Sequence, residues 1–178
     1  MPLSTNKFIG GVLAIVLFTV VSNIYYPNVF MFLAFMFIGL ATKYHKAVYS
    51  VSFLITDMTD FFVVLTYYKL GLSSALLMAF IFGYTYLVIG MAGNEGPTDA
   101  SARFIGISIC ALLLPWLTSA YPPMTVLILI VTLSGFIWGT LQITLFHIAN
   151  PVYFPIALCR GVLYYKFLPY LMPILGLG

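Results

Sequence analysis

The chain reads MTVLILIVTLSGFIWGTLQITLFHI at residues 124–148, with no Asp, Glu, Lys or Arg anywhere in this stretch. An α-helix needs about 20 mostly apolar residues to cross a hydrocarbon layer of roughly 30 Å, because each residue adds only about 1.5 Å to its length. Residues 124–148 meet this requirement, so they predict a membrane-spanning helix.

The composition extends this prediction to the whole chain. Of 178 residues, 63% are hydrophobic and only 6% are charged, whereas a soluble domain carries roughly a quarter charged residues. A surface so poor in charge would not stay in solution, and the length leaves no room for a separate soluble domain. The net charge of +3 comes from seven basic and four acidic groups, which are too few for nucleic-acid binding. The expected partner is therefore a lipid bilayer.

Apolar runs bounded by charge, Pro or Gly divide the chain into seven candidate segments, 8–25, 28–42, 47–68, 71–92, 104–120, 124–148 and 152–177. The second is short for a full crossing and only Tyr26 and Pro27 separate it from the first, so this pair could instead form one crossing plus a re-entrant segment. The first segment lacks a small-residue cleavage site, which favours a retained helix over a secretory leader. The predicted fold class is an all-α integral membrane protein, a single transmembrane domain over residues 1–178 built as a polytopic bundle of six or seven transmembrane helices.

The basic residues between the segments predict an orientation. If seven segments cross, Lys7, Lys43, Lys46 and Arg103 lie on one side, and Lys69 is the basic loop residue on the other. Because basic loops stay preferentially in the cytoplasm, the N terminus is expected inside the cell and the C terminus outside.

The connection with the most polar content is residues 93–103, GNEGPTDASAR. Gly and Pro interrupt the helical pattern there, and Thr98 or Asp99 could cap the next helix. We expect a solvated turn on the cytoplasmic side.

Two carboxylates, Asp57 and Asp60, lie within an otherwise apolar segment. At positions i and i+3 they share one face of a helix, and a charge at membrane depth costs a few kcal/mol (order of magnitude) unless it is paired, protonated or hydrated. One interpretation is a polar lining or a proton-sensitive site. The other is a structural cluster in which one Asp pairs with Arg160 or Lys166 and the other is protonated. The sequence alone leaves both open.

Motifs for catalysis, cofactors and metals are absent from the sequence. There is no Ser-His-Asp order, HExxH, GxSxG or phosphate-binding glycine loop. Cys110 and Cys159 have no CxxC spacing, and His45 and His147 have no further ligand nearby in the sequence. We therefore expect neither an enzyme nor a cofactor or metal site.

Four short motifs suggest a family. Residues 82–90 read FGYTYLVIG, and the other three motifs are Lys46-Ala47, Gly135-Phe136-Ile137-Trp138, and Arg160-Gly161 followed by Leu168-Pro169. In their order along the chain, these motifs resemble the UreI/AmiS family of urea and amide channels. That family has FGFTYLY in its third helix, a Gly- and Trp-rich helix later, and Glu-Gly followed by Ile-Pro in its last helix. Six helices of this chain would correspond to that family, and the leading segment would be an addition.

The resemblance implies a homo-oligomer in which each protomer conducts a small neutral polar solute through a narrow, aromatic-lined pore. Residue by residue, it implies a lining of Phe82, Tyr84, Tyr86 and Trp138. Arg160 stands where that family has a buried glutamate, so a fixed positive charge would replace a titratable acid. Helix packing and interfacial belts would also account for the same aromatic residues.

Three functions therefore remain compatible with the sequence. The first is a channel or facilitator for a small neutral polar solute of the urea or amide type, with Asp57, Asp60 and Arg160 at or near its pore. The second is a non-catalytic subunit of a larger membrane complex, in which the buried charges simply pair with each other. The third is a vitamin-binding membrane component of an energy-coupling transporter, which would need a polar pocket near the outer surface.

Overall fold

The computed structural model of the chain describes residues 26–49, 58–92, 97–145 and 153–177, with side chains for 26–42, 58–85, 98, 100–145 and 154–177. Within these residues the chain forms six α-helices: α1 Pro27–Tyr49, α2 Thr59–Leu70, α3 Leu72–Ala92, α4 Pro97–Ala120, α5 Pro123–Thr144 and α6 Tyr153–Leu171. The described residues contain no strand. The predicted all-α class is therefore confirmed. The first predicted segment and Asp57 lie outside the described residues.

Two helices extend beyond the apolar runs that predicted them. α1 continues past residue 42 to Tyr49, because Lys is a good helix former and a basic residue does not by itself end a helix. α4 begins at Pro97, where a proline loses no hydrogen bond because the first N–H groups of a helix have no partner within it. Thr98 and Asp99 consequently lie inside the first turn and not at the predicted cap position.

The short helix α2 lies at the centre of the bundle. It spans only 12 residues, about 18 Å, and contacts α1, α3, α4 and α5. Eight consecutive residues, 59–66, are buried, so this part of the helix is enclosed on every side. Gly71 ends α2 with a φ of 86°, a conformation that L side chains rarely adopt, and α3 starts at the next residue.

The core that surrounds α2 consists of large apolar side chains from most of the other helices. Its fully buried members include Phe82, Met78, Leu114, Leu127 and Leu168. Phe82 is 0% exposed, and its ring fills the space beside Gly39 of α1. Because the ring is fully buried, its close packing adds dispersion contacts between α1 and α3.

Helices α5 and α6 approach each other closely at two glycines. A Cβ placed on Gly135 would lie 2.7 Å from the Cβ of Ala157, and one on Gly161 would overlap the hydroxyl of Thr132. Both glycines are buried. The absence of a side chain therefore lets the two backbones come together, and it brings Arg160, the neighbour of Gly161, towards the interior.

Among the described residues, two helical stretches are long and apolar enough to cross a membrane, Ala100–Ala120 and Pro123–Thr144. Two shorter apolar stretches are Pro27–Thr42 and Leu72–Thr85. This finding rests on length and composition alone.

Candidate functional site

A buried carboxylate, Asp60, anchors the most polar site in the described part of the bundle. It lies in the first turn of α2, where the helix dipole favours a negative charge. Its Oδ2 atom accepts a hydrogen bond of 2.6 Å from the hydroxyl of Ser134 and one of 3.0 Å from the guanidinium of Arg160. Three elements, α2, α5 and α6, thus meet at one oxygen atom.

The contact between Asp60 and Arg160 is an ion pair that lies inside the protein. The side chain of Arg160 is 12% exposed and that of Asp60 is 9% exposed. Charges this well buried are expensive to leave alone, and removing one member of such a pair typically costs about 3–5 kcal/mol. Close by, the ring of Phe61 packs on Tyr164 with a centroid distance of 5.9 Å, so two neighbouring side chains of α2 each contact α6.

A second guanidinium stands beside the ion pair. The Cζ atom of Arg103, on α4, lies 4.1 Å from the centre of the Trp138 ring, a cation–π distance. Trp138 follows Ser134 by one helical turn on α5, so both side chains project from the same face. Arg103 thus borders the same cleft as the carboxylate and the hydroxyl.

Together these side chains enclose a small cleft. It is lined by Asp60, Arg103, Ile107, Ser134, Gly135, Trp138 and Arg160, and its volume is about 20 Å³. A cavity needs at least about 10–15 Å³ to hold one water molecule, so the cleft has room for roughly one. Arg103 and Arg160 each lie about two turns, roughly 10 Å, from the start of their helices. The cleft is thus set inside the end of the bundle at which α2, α4 and α6 begin.

The structure brings together three of the residues predicted for the site, Asp60, Arg160 and Trp138. The predicted pairing of one aspartate with Arg160 is confirmed for Asp60. Phe82 lies in the core beside α1 and does not border the cleft. Tyr84 is 59% exposed on the outside of α3, stacked on Phe80.

Two further predicted residues cannot be placed. Tyr86 lies within α3, but its side chain falls outside the described residues, as does Asp57 entirely. Their predicted roles stay predictions.

Sequence reasoning missed two members of the site. Arg103 was assigned to a loop, whereas the structure places it in the second turn of α4. Ser134 has no sequence signal of its own, although it immediately precedes the Gly135-to-Trp138 motif. Its role depends on a partner 74 residues away, and a contact at that separation leaves no local pattern.

The side chains of the cleft can form hydrogen bonds and electrostatic interactions with a bound molecule. Guanidinium N–H groups and a hydroxyl can donate, and the carboxylate can accept. Among the described residues, no group of three or more His, Cys, Asp or Glu side chains could hold a metal ion.

Comparisons with known proteins add no family to this description. No protein-family model matches the chain, and no match was found among curated proteins or solved structures. The resemblance to the urea and amide channels therefore stays a prediction.

Proposed function

We propose that this chain is an integral membrane protein, a polytopic helical bundle that facilitates passage of a small neutral polar solute of the urea or amide type. The observation that carries the proposal is the cleft at Asp60 and Arg160, a polar site enclosed by helices of very apolar sequence. Ionisable groups inside membrane proteins commonly mark the path of a substrate or ion.

The distribution of side chains supports the membrane setting. Large apolar residues are exposed on the outside of the helices, among them Phe80, Leu112, Trp116 and Val162. The charged pair and its serine lie inside. In water such an exposed apolar surface would associate or aggregate, whereas hydrocarbon solvates it. The mean hydropathy of +1.12 supports the same setting.

The pairing of opposite charges supports a neutral solute. A urea or amide molecule has a carbonyl oxygen that accepts hydrogen bonds and N–H groups that donate them. Arg160 supplies donors and Asp60 supplies an acceptor, so the pair offers both complements. Because the charges of Asp60 and Arg160 cancel, this pair by itself does not favour an ion over an uncharged solute. A cleft of about 20 Å³ admits the solute only where the two side chains separate around it.

The orientation follows the basic residues. The end of the bundle that holds the cleft is the end at which α1 finishes, and that end of α1 contains Lys43 and Lys46. By the positive-inside rule this end faces the cytoplasm, which puts the C terminus outside if seven segments cross. Assembly as a homo-oligomer belongs to the same proposal, because the resemblance to channels implies it.

Solute flux into liposomes tests the proposal. We expect liposomes that contain the purified full chain to re-swell in urea and acetamide several times faster than empty liposomes, with glycerol slower than either. The double variant Asp60→Asn/Arg160→Gln removes both charges of the pair, so neither is left alone in the interior, and it is expected to fold and to lose this selectivity. Ser119→Ala is the matched control, because Ser119 is exposed and bonds only to Trp116 of its own helix.

Two results would contradict the proposal. One is a wild-type protein that is monodisperse and correctly inserted yet no more permeable than lipid alone. The other is a double variant that conducts urea as well as the wild type, since the cleft would then lie off the solute path.

A second candidate is a non-catalytic subunit of a larger membrane complex. The specific observation in its favour is that the guanidinium groups of the cleft already contact Asp60 and Trp138, so the charges would serve packing alone. Impermeable liposomes together with stoichiometric co-purification of other membrane proteins would favour this candidate.

A further inference from the structure

An apolar groove runs along α6, beginning one turn beyond Arg160. Its volume is about 510 Å³, within the usual range for pockets that hold small ligands, and it is lined by Met58, Leu163, Tyr164, Lys166, Phe167, Leu168, Tyr170 and Leu171. Seven of these eight residues belong to α6, within the stretch from Leu163 to Leu171. The groove is thus a long apolar surface and not a polar binding pocket.

One residue of the groove carries a charge. Lys166 is exposed, with Leu163 one turn before it and Tyr170 one turn after it on the same face. The four-carbon stem of a lysine can lie along apolar surface while its ammonium group reaches a more polar layer. Lys166 is about one and a half turns, roughly 8 Å, from the end of α6, which is within the reach of that stem.

The charges of the bundle are separated between its two ends. Among the described side chains, Asp60 is the acidic one, and it lies at the start of α2. Lys69 lies at the opposite end of α2, with its ammonium group against Gly176 of the C-terminal turn. Lys166 lies near the end of α6, at the same end of the bundle as Lys69. The charged side chains described at this end are therefore the two lysines, and no described carboxylate lies there.

We propose that the groove binds one acyl chain of an anionic phospholipid, with the phosphate of the headgroup paired to the ammonium group of Lys166. The apolar walls match a hydrocarbon chain, and the ammonium group of Lys166 matches a headgroup with a net negative charge. The hydroxyl of Tyr170 is one turn from Lys166 and can donate a second hydrogen bond to the headgroup. This inference depends on the membrane setting proposed above but not on solute transport.

Lipid binding to the detergent-solubilised full chain provides the test. We expect native mass spectrometry and thermal unfolding with added lipid to show about fivefold tighter binding of phosphatidylglycerol than of phosphatidylcholine, the preference that a single basic residue confers near a membrane surface. Lys166→Gln should make the two lipids equal. Leu163→Trp should fill the groove and weaken binding of both.

The controls separate this site from general electrostatics. Lys69→Gln removes a charge at the same end of the bundle but outside the groove, so the preference should persist. Inorganic phosphate alone should give no stabilisation, because it has no acyl chain. Equal binding of both lipids to the wild type, or a preference that survives Lys166→Gln, would overturn the inference. Because Asp60→Asn/Arg160→Gln leaves the groove intact, lipid preference and solute flux can fail independently.

Discussion

Replacing Asp60 by Asn removes the negative charge of the buried ion pair and keeps the size of the side chain. Replacing Arg160 by Gln removes the positive charge. We expect the two single variants to be destabilised unequally, and the double variant to be less destabilised than the sum of the two. The reason is that each single variant leaves one charge in the interior without the opposite charge it now contacts at 3.0 Å.

The expected magnitudes follow from burial and from acid–base chemistry. With side chains 9% and 12% exposed, the pair belongs with buried ion pairs, where loss of one partner costs about 3–5 kcal/mol, and not with surface pairs, which contribute about 0–1 kcal/mol. Asp60→Asn should reach that range, because a guanidinium cannot lose its charge. Arg160→Gln should cost less, about 1–3 kcal/mol, because a carboxyl group can take up a proton and become neutral.

The assay is the free energy of unfolding in mixed detergent micelles for the wild type, both single variants and the double variant. Lys166→Gln is the control, since Lys166 is exposed on the same helix and its loss should change the unfolding free energy by less than about 0.5 kcal/mol without lipid. The double variant should fall short of the summed single effects by about 2–3 kcal/mol, the coupling expected for residues in direct contact.

Additive effects of the two variants would refute the argument, because they would mean that the two charges do not stabilise each other. A larger loss for Arg160→Gln than for Asp60→Asn would refute the account of how each residual charge is accommodated. Both outcomes can be measured from the unfolding free energies of the same four proteins.

Three further variants test the packing around the site. Ser134→Ala removes a 2.6 Å hydrogen bond to a carboxylate and should cost about 1.5–3 kcal/mol of unfolding free energy, whereas the exposed Ser119→Ala should be nearly neutral in the same measurement. Gly135→Ala would force a Cβ to within 2.7 Å of a neighbouring Cβ and should destabilise the contact of α5 with α6. The control Gly106→Ala should be tolerated, because the nearest contact of its added Cβ is 3.4 Å. Equal thermal stability of the two variants would contradict the close approach of α5 and α6. Phe82→Ala should cost about 3–5 kcal/mol, because the ring is wholly buried and its loss leaves a cavity; a near-neutral result would place the ring outside the core.

The helical class could be predicted from composition and apolar run length, because both depend on the chain alone. Helix ends were harder to predict. The run that stopped at residue 42 continues as helix to Tyr49, since Lys marks a change of polarity and not of backbone conformation. The start of α4 at Pro97 could have been predicted from the sequence, because proline is common in the first turn of a helix.

The sequence could predict that a buried aspartate pairs with a basic residue, but not which basic residue it contacts. A carboxylate in an apolar segment needs a partner, and the sequence offers Arg160 and Lys166 as alternatives. In the structure Arg160 contacts Asp60 at 3.0 Å, whereas the side chain of Lys166 is exposed further along α6. A contact between residues 100 positions apart leaves no local pattern. Phe82 shows the opposite difficulty: a short motif suggested a pore lining, while the structure places the ring against the backbone of α1, where shape complementarity decides the environment.

The ion pair also has a consequence for biosynthesis, because its two members are 100 residues apart in the chain. At about 5–20 residues per second, the ribosome makes Asp60 roughly 5–20 s before Arg160. During that interval the nascent chain holds a carboxylate whose arginine does not yet exist. In the proposed membrane setting we therefore expect α2 to stay close to water or to the insertion machinery until α6 is made. A chain truncated before α6 should therefore insert poorly and be degraded rapidly in cells. Pulse-chase labelling would reveal this, and a truncated chain as long-lived as the full one would show that insertion of α2 needs no late counter-ion.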